Sequence, residues 1–389
     1  MSPQEIVKQT FIEAYGDNPL VIVRAPGRVN LIGEHTDYND GFVMPMAIEY
    51  AIWIALRPRE DRQVHVQALD FDAHIHLDLD ALSKGAISPA EYIKGVAWAL
   101  MQEGYPLNGW EGVMKGDIPI GAGLSSSAAL ELAIARAFYE VSEFDWDPNH
   151  MARLSQKAEN EWVGMKCGIM DQMISANGKA DHALLIDCRS LETRLAPLPP
   201  NTRVVVMDTM TRRELVESLY NERRQQCETA AKLLGVPALR DVSSAMLKAN
   251  AKKLDPVTLK RATHVVSENE RTLEAVDAML AGDAKRLGTL MYQSHMSLRD
   301  YFEVTKMPHR PFDALDIMVQ CARKHPACFG ARMTGAGFGG CAVALVNNDA
   351  VHNFCEQTAQ LYAEQTHIEP KLYVCSAVNG AFWAERFMS

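Results

Sequence analysis

The chain predicts an α+β fold in two lobes, and three observations carry that prediction. Its 389 residues suit two or three ordinary domains or one large two-lobed body. Strand-like and helix-like segments mix without the strict alternation of a doubly wound parallel sheet. The stretch 196–202, with Pro197, Pro199 and Pro200, is the strongest break signal, so an N-terminal lobe is expected at 1–197 and a C-terminal lobe at 198–389.

In chain order, residues 3–16 show helical spacing through Ile6, Phe11, Ile12 and Tyr15 and stop at Gly16. Residues 21–25 read as a short strand leading into Pro26-Gly27. The apolar, β-branched run 43–56 and the alternating run 64–69 also suit strands. Residues 90–102 read as helix and 112–115 as a strand broken by Asp117-Ile118-Pro119. From 125 to 141, Leu130, Ala133, Ile134, Ala137, Phe138 and Val141 fall on one face of an amphipathic helix. A second such helix is expected at 151–163, and buried strands at 183–187 and 204–207. Helical patterns then cover 213–235 and 259–296, and strand character returns at 330–334, 341–346 and 372–376.

Composition narrows the function. The formal net charge is −10, so phosphate polymers and anionic membrane surfaces are repelled; no nucleic-acid and no membrane partner is expected. A small polyanion would need a local device, such as a helix N-terminus with a divalent cation. The eight cysteines contain no C-x-x-C pair, which argues against a zinc cage or a redox dithiol. Neither a signal peptide nor a bilayer-spanning apolar run of ~18–20 residues is visible, and a reduced, soluble, cytoplasmic protein is expected.

Chemistry concentrates in four segments. Gly121-Ala122-Gly123-Leu124-Ser125-Ser126-Ser127 feeds the 125–141 helix, and no acidic residue occupies its first turn. Free N–H groups and the positive end of the dipole there suit a phosphate; a Ser-capped helix after a glycine turn is the plainer alternative. No Lys follows the glycines, so this is not a Walker A loop. The cluster Gly335-Ala336-Gly337-Phe338-Gly339-Gly340 formally contains G-x-G-x-x-G. It leads into a strand rather than a helix, which fits a turn between strands better than a dinucleotide site.

The segment 24–38 gathers Arg28, Asn30, Glu34, His35 and Asp37 among small residues. Two carboxylates and a switchable imidazole suit sugar hydroxyls, which both donate and accept; a metal site or a solvated loop are the alternatives. Asp171 stands among Ile169, Met170, Met173 and Ile174, so it must be partly buried and needs a partner, for which Arg28 is the candidate. A purely structural ion pair is the alternative there.

Together these segments resemble the galactokinase family of the GHMP small-molecule kinases. The resemblance rests on G-R-V-N-L-I-G-E-H-T-D-Y (27–38), G-A-G-L-S-S-S-A (121–128), C-G-I-M-D-Q (167–172) and M-T-G-A-G-F-G-G (333–340), in order along the chain. It implies an N-terminal lobe with a mixed sheet, a ferredoxin-like C-terminal lobe and an active site in the cleft between them. It implies ATP-dependent phosphorylation of the anomeric hydroxyl of galactose with Mg2+; a monomer is expected. Related N-acetylgalactosamine or arabinose kinases and a non-catalytic galactose sensor are the rivals. It also implies that Glu34, His35, Thr36, Asp37, Gly168, Asp171 and Tyr220 bind the sugar. Gly121 to Ser127, with Ala68 nearby, would bind ATP, and Ser127 and Glu159 the metal. Asp171 is implied as the catalytic aspartate with Arg28 as its partner. A guanidinium beside it makes Asp171 a weak base, so it is expected to orient the hydroxyl and accept its proton late.

Overall fold

The computed structural model describes residues 1–119, 121–212, 216–306 and 312–387. Helix α1 (Pro3–Tyr15) opens on a reciprocal cap between Ser2 and Glu5 and ends at Gly16 with φ 74°. Strand β1 (Val21–Asn30) follows, then β2 (Phe42–Val43), β3 (Pro45–Pro58), β4 (Gln63–Ala68) and β5 (Ala73–Asp78). After α2 (Pro89–Gln102) and β6 (Trp110–Gly116) come α3 (Ser126–Ser142), α4 (Pro148–Lys157) and α5 (Met170–Asn177). Then β7 (His182–Asp187), β8 (Thr193–Pro197) and β9 (Thr202–Asp208) lead to α6 (Val216–Leu234), α7 (Ser244–Asn250), α8 (Pro256–Leu280) and α9 (Ala284–Ser297). The chain closes with α10 (Ala314–Lys324), β10 (Cys328–Thr334), β11 (Cys341–Asn347), α11 (Val351–Thr366), β12 (Lys371–Cys375) and β13 (Phe382–Arg386).

The first sheet has the order β13-β1-β3-β6-β4-β5. It is mixed, because β4 runs parallel to β6 while its other pairs are antiparallel. Apolar faces of α2 to α5 cover one side through Ile93, Phe138, Met151 and Met173. Val7 and Phe11 of α1 cover the other. The second sheet, β10-β11-β9-β12, is wholly antiparallel. With helices between β9 and β10 and α11 between β11 and β12, it has the β-α-β-β-α-β path of a ferredoxin-like lobe. A small sheet, β2-β7-β8, lies between.

Four expectations change. The first strand does not stop before Pro26; β1 continues to Asn30, with a register shift against β3 between Pro26 and Arg28. That irregularity sits where a Cβ at Gly27 would come within 2.6 Å of the Leu124 carbonyl, so only glycine lets β1 and the loop before α3 touch. The 151–163 helix is α4 continued by a π-helical turn at Ala158–Val163, a form often found at functional sites. The 259–296 pattern is two helices, broken at Gly282 (φ 68°) with Asp283 capping α9. The last strand pairs with β1, so residues 382–386 belong to the first sheet although they lie beyond the expected boundary at 197/198.

The lobes share a core. Val29, Ile32 and Met46 from the first half pack with Val276 of α8, Leu290 of α9 and Val343 of β11. Segments from both halves therefore contribute to one continuous apolar core.

Candidate active site

The loop 121–125 owes its shape to three left-handed residues, Gly121 (φ 74°), Gly123 (φ 71°) and Ser125 (φ 58°). The Arg28 backbone N–H donates to Leu124 O (3.1 Å) and the Arg28 guanidinium donates to Gly123 O (2.7 Å). Ala122 and Leu124 are buried, so they shape the loop through packing and backbone. Ser125 is not a helix cap: no side chain caps α3, and the Ser125 hydroxyl donates to Asp171 Oδ2 instead. The start of α3 thus carries uncapped N–H groups with no acidic residue in its first turn, as an anion cradle requires.

Arg28 and Asp171 form the expected pair as a two-point fork, Nε to Oδ1 at 2.7 Å and Nη2 to Oδ2 at 2.6 Å. Asp171 stands in the first turn of α5, a helix too short for its periodicity to be read. Burial alone would lower the Arg28 pKa, but the Asp171 charge outweighs it and the guanidinium stays protonated.

A cleft of about 590 Å³ opens beside this pair, lined by Arg28, Glu34, His35, Asp37, Gly168, Asp171 and Tyr220 among others. Six of the expected sugar-side residues therefore meet on one surface. Gly33 permits the turn that presents them, because its φ is 93° and a Cβ would strike Phe42 O at 2.6 Å. Glu34 is held at Oε1 by Gly335 N (2.5 Å) and Thr334 Oγ1 (3.1 Å), and at Oε2 by Asn30 Nδ2. His35 Nδ1 meets the Tyr38 hydroxyl at 2.9 Å, and its ring lies against Tyr220 and Phe302. Burial drops the His35 pKa to about 3, so the imidazole is neutral near pH 7 and does not act there as the switchable donor the sequence suggests. Burial, reinforced by the Asp171 and Glu34 carboxylates, raises Asp37 to about 6. Gly168 is a glycine because a Cβ there would overlap Asp37 Oδ2.

Two expected residues stand elsewhere. Thr36 is wholly buried, and its hydroxyl donates to Gly33 O (2.8 Å) and Phe42 O (2.6 Å); it braces the loop and does not line the cleft. Ala68 is buried between Ala73 and Met114, whereas its neighbours Asp70 and Phe71 line a second cavity of about 340 Å³. That cavity abuts Ser126 and Ser127 and is walled by Ile52, Tyr92, Met114 and Leu130. Arg212, which sequence reasoning missed, pairs with Asp208 (2.8 and 2.6 Å) and lies against Gly121.

Behind Ser127 lies an acidic cluster. Glu159 accepts from Ser127, from Cys167 Sγ (3.0 Å) and from Gln172 Nε2 (2.7 Å). Gln172 Nε2 also reaches Glu131 Oε2 (3.0 Å). Burial raises both carboxyls, Glu131 strongly. Ser127 and Glu159 offer hard oxygen ligands of the kind Mg2+ accepts alongside phosphate oxygens. Among the described residues no group of three or more His, Cys, Asp or Glu forms a self-sufficient metal cage.

The galactokinase galactose-binding signature matches residues 9–58, the GHMP kinases N terminal domain 91–179 and the GHMP kinases C terminal model 275–363. The galactokinase of Roseiflexus sp. (strain RS-1) is 47% identical over 379 residues, covering 96% of this chain and 95% of that relative. The crystal structure of Lactococcus lactis galactokinase complexed with galactose aligns with a TM-score of 0.90 at 36% identity, over 96% of this chain and 98% of that one. Methanococcus jannaschii mevalonate kinase, with TM-score 0.62 and 19% identity over 92% and 98% of the two chains, shares the fold alone. Identity of this extent, running through both lobes, makes the chain a member of the galactokinase family of GHMP kinases.

Proposed function

We propose that the chain transfers the γ-phosphoryl group of ATP to the anomeric hydroxyl of α-D-galactose, giving α-D-galactose 1-phosphate and ADP. The observation that carries the reading is the Arg28–Asp171 fork, which stands where the hydroxyl-reading cleft meets the uncapped start of α3.

Phosphoryl transfer has a loose transition state, so positioning and charge neutralisation dominate. Asp171 Oδ1 and Oδ2 both accept from Arg28, and Oδ2 also from Ser125, which leaves acceptor capacity for one substrate hydroxyl. Asp171 orients that hydroxyl and takes its proton late. Arg28 spans the carboxylate and the phosphate loop through Gly123, so it fixes both reactants with one group. Glu34, Asp37, neutral His35 and Tyr220 hold the remaining hydroxyls. The second cavity takes the nucleoside, and Arg212 adds positive charge beside Gly121. Ser127 and Glu159 would hold Mg2+, which supplies charge neutralisation on the phosphates when bound.

The eight free cysteines fit a reducing compartment such as the cytoplasm, and no helix among the described residues is long and apolar enough to cross a membrane. The test is coupled detection of ADP with galactose, N-acetylgalactosamine, glucose and arabinose. Turnover highest with galactose is expected, and no ADP release above background with galactose would sink the reading.

A further inference from the structure

We propose that Arg332, set in place by Glu268 and Ser294, is a positioning residue that aims the Glu34 carboxylate at the sugar, a reading that rests on the function proposed above. Arg332 lies on β10 and is 0% exposed. Its Nη1 stands 3.6 Å from Glu34 Oε1 and its Nη2 3.8 Å from Glu268 Oε1. Its Nε donates to Ser294 Oγ (3.2 Å) and its Nη1 to Asn30 O (3.4 Å). Ser294 in turn donates to Glu268 Oε1 (2.5 Å), which also accepts from the Gly33 backbone N–H (3.0 Å). Arg271 closes the set on Glu268 Oε2 (2.8 Å). Two cations and two carboxylates from β10, α8 and the loop after β1 therefore balance to zero, almost out of contact with water.

Such a cluster is poor stability engineering. Desolvating ions costs several kcal/mol each, and an apolar replacement of equal volume is often as stable or more so. Its value lies in what Glu34 must do. A carboxylate only 2% exposed and required to accept from a substrate hydroxyl needs a compensating charge that does not itself occupy the cleft. Among the described residues Arg332 is the cation in ion-pair range of Glu34. It engages Oε1, the oxygen that Thr334 and Gly335 also hold. Oε2, braced by Asn30, keeps lone pairs for the sugar. The sugar-reading group of the first half is thus oriented by side chains of the second.

The test is steady-state kinetics of Arg332→Met, Arg332→Lys and Glu268→Gln with galactose, a series of monodeoxygalactoses and varied ATP. Arg332→Met should raise the galactose KM 10- to 100-fold and leave the ATP KM within twofold; Arg332→Lys should recover part of the loss, and Glu268→Gln should move the same way less far. The deoxy sugar whose penalty disappears in Glu34→Gln should also lose its penalty in Arg332→Met, which a merely structural role would not produce. If Arg332→Met does not fold, Ser294→Ala removes only the bridging hydroxyl and should raise the galactose KM about 3- to 10-fold. A galactose KM within twofold of wild type in the folded variants, or equal losses for both substrates, overturns the assignment. Wild-type turnover of galactose is measured beside them: its absence overturns the reading of the enzyme, whereas normal wild-type turnover with unshifted variants overturns the positioning role alone.

Discussion

Asp171 accepts from three protein donors, and in the proposed reaction it also takes one substrate hydroxyl, so its chemistry is decided by occupancy of its lone pairs. Asp171→Asn keeps the shape but turns one acceptor into a donor facing Arg28. Turnover should fall by about a thousandfold or more while galactose affinity stays within about tenfold, as kcat and equilibrium dialysis would show; near-normal kcat would end the assignment of Asp171. Asp37 makes a pH prediction. Its carboxyl is raised to about 6 in the folded chain, against about 3.9 unfolded. Above pH 6 the fold therefore holds a charge it disfavours, and this opposition fades as pH falls from 6 to 4 and is absent below. In the same window the carboxylate is lost as an acceptor, so kcat/KM for galactose should drop about tenfold per unit below pH 6. Asp37→Asn should erase that limb, weaken galactose binding and stabilise the protein at pH 7.5 by about 1–3 kcal/mol. A wild-type profile flat from pH 7 to 5 would refute this. Charged letters among apolar neighbours made Arg28 and Asp171 legible in the sequence. Arg332 carries the same signal, between Ala331 and Met333, but one charged letter beside a run of glycines does not stand out from the turn they announce. Hydroxyls were not legible, because Thr36 and Ser125 read the same whether they face a ligand, a backbone carbonyl or a carboxylate.

At the scale of elements, the site is an agreement between turns. The loop before α5 can pass Asp37 only because residue 168 lacks a side chain. Gly168→Ala must push the Asp37 carboxylate aside, so the galactose KM should rise about 10- to 100-fold with the ATP KM within twofold; a galactose KM within twofold of wild type would show that the carboxylate has room to spare. Glycines in the signature segments were legible as turns, and the long amphipathic helices as packing faces. Other elements hid for physical reasons. Helix α5 has 8 residues, with Asp171 and Gln172 near its start, so its apolar stripe never completes a readable period. The π-helical turn at Ala158–Val163 keeps the polarity pattern of the helix it extends, although it carries the Glu159 that accepts from Ser127. The break between α8 and α9 is only three residues, Ala281-Gly282-Asp283, and a periodicity window averages over it.

For the whole molecule, the sequence points to two lobes with a boundary at Pro197, Pro199 and Pro200, and the packing argues against independence. Val29, Met46 and Ile32 share one core with α8, α9 and β11, and β13 returns from the far end of the chain to complete the first sheet on β1. No local pattern announces such a return, because strand pairing across more than 350 residues leaves no trace in neighbouring letters. If the lobes share a core, they should unfold together, although chains of this size often do not. The tryptophans make this testable without labels. Trp53, Trp98, Trp110, Trp146, Trp162 and Trp383 all lie within or against the first sheet and its helices, so fluorescence reports that half. Far-UV dichroism reports both halves, with α6, α8 and α9 among its largest contributors. Urea curves followed by the two signals should coincide. Galactose at about a hundred times its Kd should move them together by about 2.7 kcal/mol, because under the proposed positioning role a ligand read by Glu34 is supported from β10 and α8 as well. Separate midpoints, or a ligand shift confined to the fluorescence curve, would mean that the halves fold apart and that the second half does not underwrite sugar binding.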